Sequence, residues 1–276
     1  MNDKNPKAKK RYGQNFLTGK AVPERIAREA GIGGEHGVLE IGPGRGILTE
    51  QLAVTAKKTV AVEIDRELIP FLNDKFVNHS NVTIVEGDIL ETDIAGLINE
   101  HFRDMPVSVC ANIPYYITSP ILLKLIEGDY GFDTITVMVQ KEVAQRLTAK
   151  KRSGEYSSLT VLCSYYASVK KLFDVPAGCF SPRPKVDSAV VRFDIYKAPP
   201  VNPPDIRLFF KIIRLAFAYR RKTLLNCLAA CPDIAYPKEV ICDILTSNGF
   251  SPNVRGEELD IYDFDKIARF IRDRER

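Results

Sequence analysis

Residues 38–46 read VLEIGPGRG, a short apolar run that passes directly into a glycine-rich turn. Residues 47–54 (ILTEQLAV) follow with the spacing of a helix. This order predicts a β-strand, a tight turn and a helix. Glycines at such a turn let backbone N–H groups approach a ligand closely, at the carboxyl end of the strand, where open α/β sheets bind ligands.

Strand and helix signals keep alternating through the first two thirds of the chain. Strand-like runs lie at residues 38–41, 59–64, 82–86, 107–111 and 134–139, and helical patterns at 47–54, 66–76 and 120–126. Residues 20–30 predict a helix before the first strand, and residues 186–193 alternate like a late antiparallel strand. Continuous apolar strands separated by helices predict a mainly parallel sheet covered on both faces. The predicted fold class is α/β, with a Rossmann-like sheet.

A proline-rich stretch divides the chain before its last quarter. Residues 197–204 (KAPPVNPP) contain four prolines, which is typical of a semi-rigid linker. Beyond it, helical spacing recurs without strand signals at residues 206–218, 223–229, 238–248 and 262–272. We therefore predict a sheet-containing domain over residues 1–196, a linker over 197–204 and a small all-α domain over 205–276.

Composition limits the class of protein. The 276 residues are 45% hydrophobic and 27% charged, as in globular proteins with a substantial core. No apolar run reaches the ~18–20 residues of a membrane span, and no secretory signal is recognisable. The six cysteines form no C-x-x-C pair and histidine is rare, so we expect reduced thiols and no metal site. These features predict a soluble, cytoplasmic protein without membrane association.

Basic residues are clustered rather than evenly spread along a chain of net charge +4. The clusters are Lys4, Lys7, Lys9, Lys10 and Arg11; Lys150, Lys151 and Arg152; and Arg220, Arg221 and Lys222. Any one of them alone is most simply read as solvated surface. Together they favour a polyphosphate partner, because neutralisation of phosphates dominates the affinity for nucleic acids.

Acidic residues near the ends of successive predicted strands point to the ligand of the glycine turn. Glu63 lies about twenty residues beyond Gly42 and Gly44, where a carboxylate can accept both ribose hydroxyls. Asp88 ends the third strand, where it can meet the amino group of a cofactor adenine, and Glu40 ends the first. A nicotinamide dinucleotide enzyme is the alternative, but its G-x-G-x-x-G pattern requires glycine where this chain has Ile47. We therefore predict S-adenosylmethionine, which carries no phosphate, as the cofactor.

Residues 112–115 read NIPY directly after the fourth predicted strand. The exocyclic amine of adenine is a poor nucleophile, because its lone pair is delocalised into the ring. Two acceptors, the side-chain oxygen of Asn112 and the carbonyl of Ile113, can turn this amine towards sp³ geometry, and Pro114 stiffens the turn that carries them. The simpler reading makes Asn112 an ordinary turn former.

Aromatic residues complete the predicted target site. Tyr115 is expected to stack on a target base, and Phe180, in the proline-bounded segment CFSPRP, is expected to cover its other face. The simpler reading places both rings in the core.

Several segments together resemble the ribosomal RNA adenine N6,N6-dimethyltransferases, of the small-subunit, kasugamycin-sensitivity type. The resemblance covers nearly the whole chain and rests on residues 14–17 (QNFL), 40–46, 63–65 (EID), 86–88 (EGD), 112–115, 180–191 (FSPRPKVDSAVV) and 220–228 (RRKTLLNCL). A departure is Tyr116, at a position where this family commonly has asparagine. The resemblance implies a methyltransferase domain followed by a helical domain that binds RNA.

The resemblance also implies site residues and a reaction. Asn15, Leu17, Gly42, Glu63, Asp88 and Asn112 would line the S-adenosylmethionine pocket, with residues 14–17 folded over it as a partial lid. The implied reaction dimethylates two adjacent adenosines in a hairpin near the 3′ end of 16S rRNA, on the assembling 30S subunit. We expect a monomer that acts in ribosome biogenesis.

Two alternatives stay open at this point. The large-subunit methyltransferases that confer macrolide resistance carry a very similar tetrapeptide and act on 23S rRNA. A non-catalytic assembly factor for the small subunit is the second alternative, although the intact glycine turn and the intact NIPY segment argue against it.

Overall fold

The computed structural model describes residues 6–219, 221–234 and 236–273, which form two compact units. The first unit is drawn from residues up to 144 and from residues 169–195. The second is drawn from residues 145–168 and from residue 196 onward.

Nine strands are present among the described residues: β1 (Phe16–Leu17), β2 (Gly37–Ile41), β3 (Lys58–Glu63), β4 (Val82–Glu86), β5 (Val107–Asn112), β6 (Phe132–Gln140), β7 (Ala167–Val175), β8 (Phe180–Ser181) and β9 (Ser188–Ile195). Seven of them form one sheet in the order β4-β3-β2-β5-β6-β9-β7. The pairings from β4 to β6 are all parallel, and β9 runs antiparallel to β6. Strands β1 and β8 form a separate antiparallel pair.

The predicted α/β fold class is confirmed by this sheet, and every predicted strand lies within two residues of an observed one. The central strand β2 is buried along its whole length, which explains why it reads as a continuous apolar run. Strand β7 was not predicted. Its sequence, ASVKKLFDV, exposes both lysines, so it lacks the apolar continuity of the inner strands.

The helices that connect these strands are α1 (Ala21–Glu29), α2 (Ile47–Thr55), α3 (Ile69–Lys75), α4 (Ile94–His101), α5 (Thr118–Glu127) and α6 (Lys141–Leu147). Helix α4 begins at Ile94 because the carboxylate of Asp93 accepts the N–H of Gly96 at 3.0 Å. Ile26 of α1 and Leu52 of α2 lie in one buried cluster with Val38 of β2. The glycine turn is therefore held between a packed strand and a packed helix.

The second unit is helical. Its helices are α7 (Ser158–Tyr166), α8 (Ile206–Ala218), α9 (Leu224–Ala229), α10 (Lys238–Ser247) and α11 (Ile261–Asp273). The last four lie close to the four helices predicted beyond the linker. Phe209, Ile213, Leu224 and Phe264 form the centre of its core and are fully buried.

The helical unit includes a segment that the predicted domain boundaries did not assign to it. Residues 145–168 belong to this unit, whereas the prediction placed them in the first domain. The Tyr156 hydroxyl donates to the Leu259 carbonyl at 2.9 Å, and Val161 and Leu162 of α7 join the helical core. Sequence order cannot reveal this grouping, because it depends on contacts across about a hundred residues. Within the described ranges, no helix is long and apolar enough to cross a bilayer.

Candidate functional site

A cleft lies at the carboxyl ends of β2, β3 and β5, within the first unit. It encloses about 800 Å³, part of which is open to solvent, and is lined by residues 12–17, 42–45 and 112–115 with Glu40, Ile47, Leu48, Glu63 and Ile64. The chain runs from β2 to β3 and β4 in one direction and continues through β5 and β6 in the other. The cleft therefore lies where the strand order reverses, the usual place for a ligand in an open α/β sheet.

The glycine turn forms one wall of this cleft with left-handed backbone geometry. Gly42 and Gly44 have φ values of 68° and 59°, which side chains disfavour. Among the described residues, a Cβ atom at Gly42 would meet only the Asn112 carbonyl oxygen, at 4.0 Å. Space therefore remains beside Gly42 for a ligand to approach the backbone closely.

Glu63, at the end of β3, holds the glycine turn in place. Its Oε2 accepts the N–H of Gly44 at 3.0 Å, and its Oε1 accepts the N–H of Asp65 at 2.9 Å. The side chain is buried, and burial raises its pKa despite these backbone hydrogen bonds. Each carboxylate oxygen keeps a lone pair with which it can accept a further hydrogen bond.

Glu40, near the end of β2, is more deeply buried than Glu63, and one of its oxygens lacks a hydrogen bond within the described part of the chain. Only 1% of its surface is exposed, and no hydrogen bond reaches its Oε2 from the described residues. Burial raises the pKa of Glu40 to about 8, and the neighbouring Glu63 carboxylate adds to the rise. Glu40 is therefore a buried carboxyl group at the cleft that stays protonated at neutral pH.

Asn112 ends β5 and connects the cleft wall to the N-terminal arm, defined here as residues 6–17. Its Nδ2 donates to the Asn15 carbonyl at 3.2 Å, and Asn15 Nδ2 donates to the Gly13 carbonyl at 3.2 Å. The backbone N–H of buried Ile113 donates to the Met138 carbonyl of β6 at 3.3 Å. The first two residues of the NIPY segment are therefore fixed by both the sheet and the arm.

Tyr115 opens a short 3₁₀ helix directly after Pro114. The ring is half-buried, and its hydroxyl lies 2.6 Å from the Ser188 hydroxyl. Burial raises the pKa of the phenol, against the weaker opposing effect of the Ser188 hydrogen bond, so the phenol is protonated at neutral pH. The next residue, Tyr116, is 61% exposed and lies outside the cleft lining.

A network that the sequence prediction missed holds the arm against the sheet. The buried Asp65 carboxylate accepts hydrogen bonds from Lys9 Nζ at 2.6 Å and from Gln14 Nε2 at 3.1 Å. Burial acts to raise the pKa of Asp65, but these two hydrogen bonds, the backbone N–H of Glu67 and the charge of Lys9 together lower it. The Arg45 guanidinium donates to the Pro6 carbonyl at 2.8 Å. Lys9 lies in the basic N-terminal cluster, and Gln14 and Asp65 lie in the QNFL and EID segments, but nothing in the sequence indicates that these side chains meet.

Most of the predicted site residues are brought together in the cleft. Asn15, Leu17, Gly42, Gly44, Glu63 and the four NIPY residues all line it. Asp88 does not; it is half-buried, and its Oδ1 accepts the N–H of Leu90 at 2.9 Å.

Phe180 is the clearest departure from the predicted site. It pairs through its backbone with Leu17, is only 4% exposed, and packs in the cluster that contains Val175 and Val190. This ring therefore offers no open face to a base in the present conformation, because its apolar surface is already buried in the core.

The residues of the basic clusters differ in whether they form ion pairs with acidic side chains. Lys9 is paired with Asp65 and Glu67, and Lys151 is paired with Asp260 and Asp263 at 2.7 and 3.2 Å. Lys150 is exposed and belongs to none of the ion pairs among the described residues. Lys4 and Arg220, which the prediction also counted in these clusters, lie outside the described residues.

Comparison with known proteins identifies relatives over almost the whole chain. Residues 5–235 match the family described as ribosomal RNA adenine dimethylase. A protein of Lachnoclostridium phytofermentans named ribosomal RNA small subunit methyltransferase A is 44% identical over 95% of this chain and 91% of its own length. A Bacillus cereus protein of the same name is 46% identical, again over 95% of this chain and 91% of its own length.

Solved structures share the fold. A dimethyladenosine transferase from Plasmodium falciparum superposes with a TM-score of 0.79 at 28% identity, covering 91% of this chain and 95% of that one. The 23S rRNA methyltransferase ErmE superposes with a TM-score of 0.70 at 27% identity, covering 95% of this chain and all of that one.

Proposed function

The chain belongs to the ribosomal RNA adenine dimethylase family, and on this premise we propose that it dimethylates N6 of two adjacent adenosines near the 3′ end of 16S rRNA. The substrate is the assembling 30S subunit, and the reaction takes place in the cytoplasm. The observation that carries the proposal is the NIPY segment at residues 112–115, which borders the same cleft as Glu63 and the glycine turn. The curated relatives named for the small subunit favour 16S rRNA over 23S rRNA.

S-adenosylmethionine fits the residues of the cleft. Glu63 lines the cleft, and each of its carboxylate oxygens keeps a lone pair, which suits a ligand that carries ribose hydroxyls. The open space at Gly42 suits close approach of a ligand to the backbone. Glu63 would accept the ribose hydroxyls, and Asn15, Leu17 and Gly44 would border the same group. When bound, this cofactor supplies an electrophilic methyl group on a sulfonium.

Asn112 and Ile113 activate the target amine in this proposal. The Asn112 side-chain N–H is engaged by the Asn15 carbonyl, which orients the amide oxygen as an acceptor. Together with the Ile113 carbonyl, that oxygen would accept the two N6 hydrogens and localise the nitrogen lone pair. No strong base is needed, because the proton can pass to water after methyl transfer.

Tyr115 holds the target base in this proposal. A flipped adenine gains about 1–3 kcal/mol from stacking on one aromatic ring, which offsets part of the cost of leaving its own stack. The helical unit and the basic clusters would hold the surrounding rRNA through its phosphates. We propose that the chain acts on each subunit as a monomer.

The proposal is tested with methyl-labelled S-adenosylmethionine and separately purified, unmethylated 30S and 50S subunits. We expect label on 30S subunits alone, in N6,N6-dimethyladenosine near the 3′ end of 16S rRNA by mass spectrometry. Label confined to 50S subunits would replace the proposal with the 23S rRNA activity. Binding to 30S particles without any transfer would indicate an assembly factor instead.

A further inference from the structure

We propose that Ser188 is a positioning residue for this reaction, and that its hydroxyl holds the Tyr115 ring in the orientation that stacks on the target adenine. The inference rests on the proposed function and deepens it. Tyr115 Oη and Ser188 Oγ are 2.6 Å apart, a distance typical of a strong hydrogen bond between two hydroxyl groups. The two residues are 73 positions apart in sequence, so the fold alone brings them together.

Ser188 has a fixed position. Its side chain is fully buried, and as the first residue of β9 it pairs with Gln140 in the antiparallel ladder with β6. The preceding residue, Asp187, is held twice. Its carbonyl accepts the N–H of Lys141 at 3.0 Å, and its side chain accepts the N–H of Ala177 at 2.9 Å. A hydroxyl on such a segment is a rigid anchor.

Tyr115 needs such an anchor because its backbone alone does not fix its ring. Pro114 restricts the backbone before it, but the plane of a tyrosine ring is set by two further side-chain torsions. The Ser188 hydrogen bond attaches the far end of the ring to β9. The backbone of the NIPY segment, which carries the proposed acceptors, is held to the neighbouring strand β6 by the hydrogen bond from Ile113 N–H to the Met138 carbonyl. The Tyr115 ring and the acceptors of the NIPY segment are therefore anchored to two paired strands, β9 and β6.

The same sheet offers a matched control for a purely structural hydrogen bond. Ser108 on β5 is also fully buried, and its hydroxyl accepts a hydrogen bond from Thr134 Oγ1 at 3.0 Å. It lies outside the lining of the cleft. Ser108→Ala removes a comparable buried bond without altering any contact to Tyr115.

The experiment compares Ser188→Ala, Ser108→Ala, Tyr115→Phe and the Tyr115→Phe/Ser188→Ala double variant in single-turnover methylation of unmethylated 30S subunits. We expect Ser188→Ala to slow turnover about five- to tenfold, because the Tyr115 ring is less often in the stacking orientation once this hydrogen bond is lost, with unchanged calorimetric affinity for S-adenosylmethionine. Tyr115→Phe loses the same bond from the other end and should slow turnover equally. The double variant should be no slower than Tyr115→Phe, because both changes remove one interaction.

Three results overturn the inference: wild-type turnover in Ser188→Ala, additive losses in the double variant, or equal slowing by Ser108→Ala. If Ser188→Ala does not fold, Tyr115→Phe decides alone, since it leaves no buried cavity. Full activity of that variant would then exclude the anchoring role. An inactive wild-type protein overturns the proposed function as well, whereas an active wild type with unaffected variants overturns only the role of Ser188.

Discussion

The side-chain amide of Asn112 donates to the backbone carbonyl of Asn15 across 3.2 Å, joining residues that are 97 positions apart in the chain. The contact connects the end of β5 to the N-terminal arm. It also settles the orientation of the amide, since the nitrogen faces Asn15 and the oxygen is left to accept. Asn112 therefore holds the arm against the cleft, and in the proposed mechanism the same side chain would present an acceptor to the target amine.

Asn112→Ala should lower single-turnover methylation of 30S subunits about 10²–10³-fold, as removal of one preorganised polar group from an active site typically does. Asn81→Ala is the control, because its Nδ2 makes a similar bond to the Ala53 carbonyl at 2.8 Å, in contact with α2 rather than with the cleft. Equal activity of the two variants would remove Asn112 from the mechanism.

Tyr115→Ala should slow methylation tenfold to a hundredfold, while calorimetric affinity for S-adenosylmethionine changes little. The reason is that the ring is assigned to the target base and not to the cofactor. Tyr116→Ala, at an exposed neighbour outside the cleft lining, should have a smaller effect. Parallel losses of turnover and of cofactor affinity in Tyr115→Ala would contradict the assignment.

Asp65→Asn should loosen the N-terminal arm. At neutral pH, amide hydrogen exchange at residues 14–17 should become faster in this variant, because Lys9 and Gln14 lose their ionised acceptor. Asp74→Asn, on the exposed face of α3, serves as the control and should leave exchange unchanged.

The contact of Asp65 with Lys9 and Gln14 also predicts how the stability of the protein changes with pH. Because the pKa of Asp65 is lowered in the folded protein, its contribution to stability is fully present above about pH 4, the ordinary pKa of an aspartate. It is lost as pH falls through the lowered pKa of the folded state. Chemical denaturation between pH 5 and pH 3 should therefore show a smaller loss for Asp65→Asn than for wild type, and identical curves would exclude the effect.

Glu40→Gln should stabilise the cofactor-free protein at alkaline pH. The pKa of Glu40 in the folded protein is raised to about 8. Its contribution to stability is therefore fully present below about pH 4.3, the ordinary pKa of a glutamate, and is lost as pH rises through the pKa of the folded state. The melting temperature of the wild type should fall between pH 6 and pH 8.5 more than that of Glu40→Gln. Glu91→Gln, at an exposed position, should follow the wild type.

Lys150→Ala should reduce the salt dependence of rRNA binding more than Lys151→Ala. Exposed Lys150 can reach a phosphate directly, whereas Lys151 is engaged by Asp260 and Asp263. A lost phosphate contact lowers the slope of log affinity against log salt by about 0.7–0.9. Binding isotherms at several salt concentrations measure this slope. An affinity insensitive to salt in the wild type would mean that the basic clusters are ordinary surface.

The sequence alone was sufficient to predict most strands of the sheet and most of the residues that line the cleft. Buried parallel strands require continuous apolar runs, and left-handed turns require glycine, so β2 and the turn at Gly42 and Gly44 are readable from local pattern. The NIPY segment lines the cleft, as its place directly after a predicted strand indicates, and its role towards a target amine stays a prediction.

Tertiary structure decided what those residues contact. Phe180 is an aromatic residue of the kind that stacks on bases, yet its ring packs in the core. Whether an apolar side chain is buried depends on neighbours that are distant in sequence. Asp65, Lys9 and Gln14 meet for the same reason, as do Tyr115 and Ser188. Local sequence specifies backbone geometry and residue chemistry, whereas hydrogen bonds between distant segments arise only when the sheet brings its strands into register.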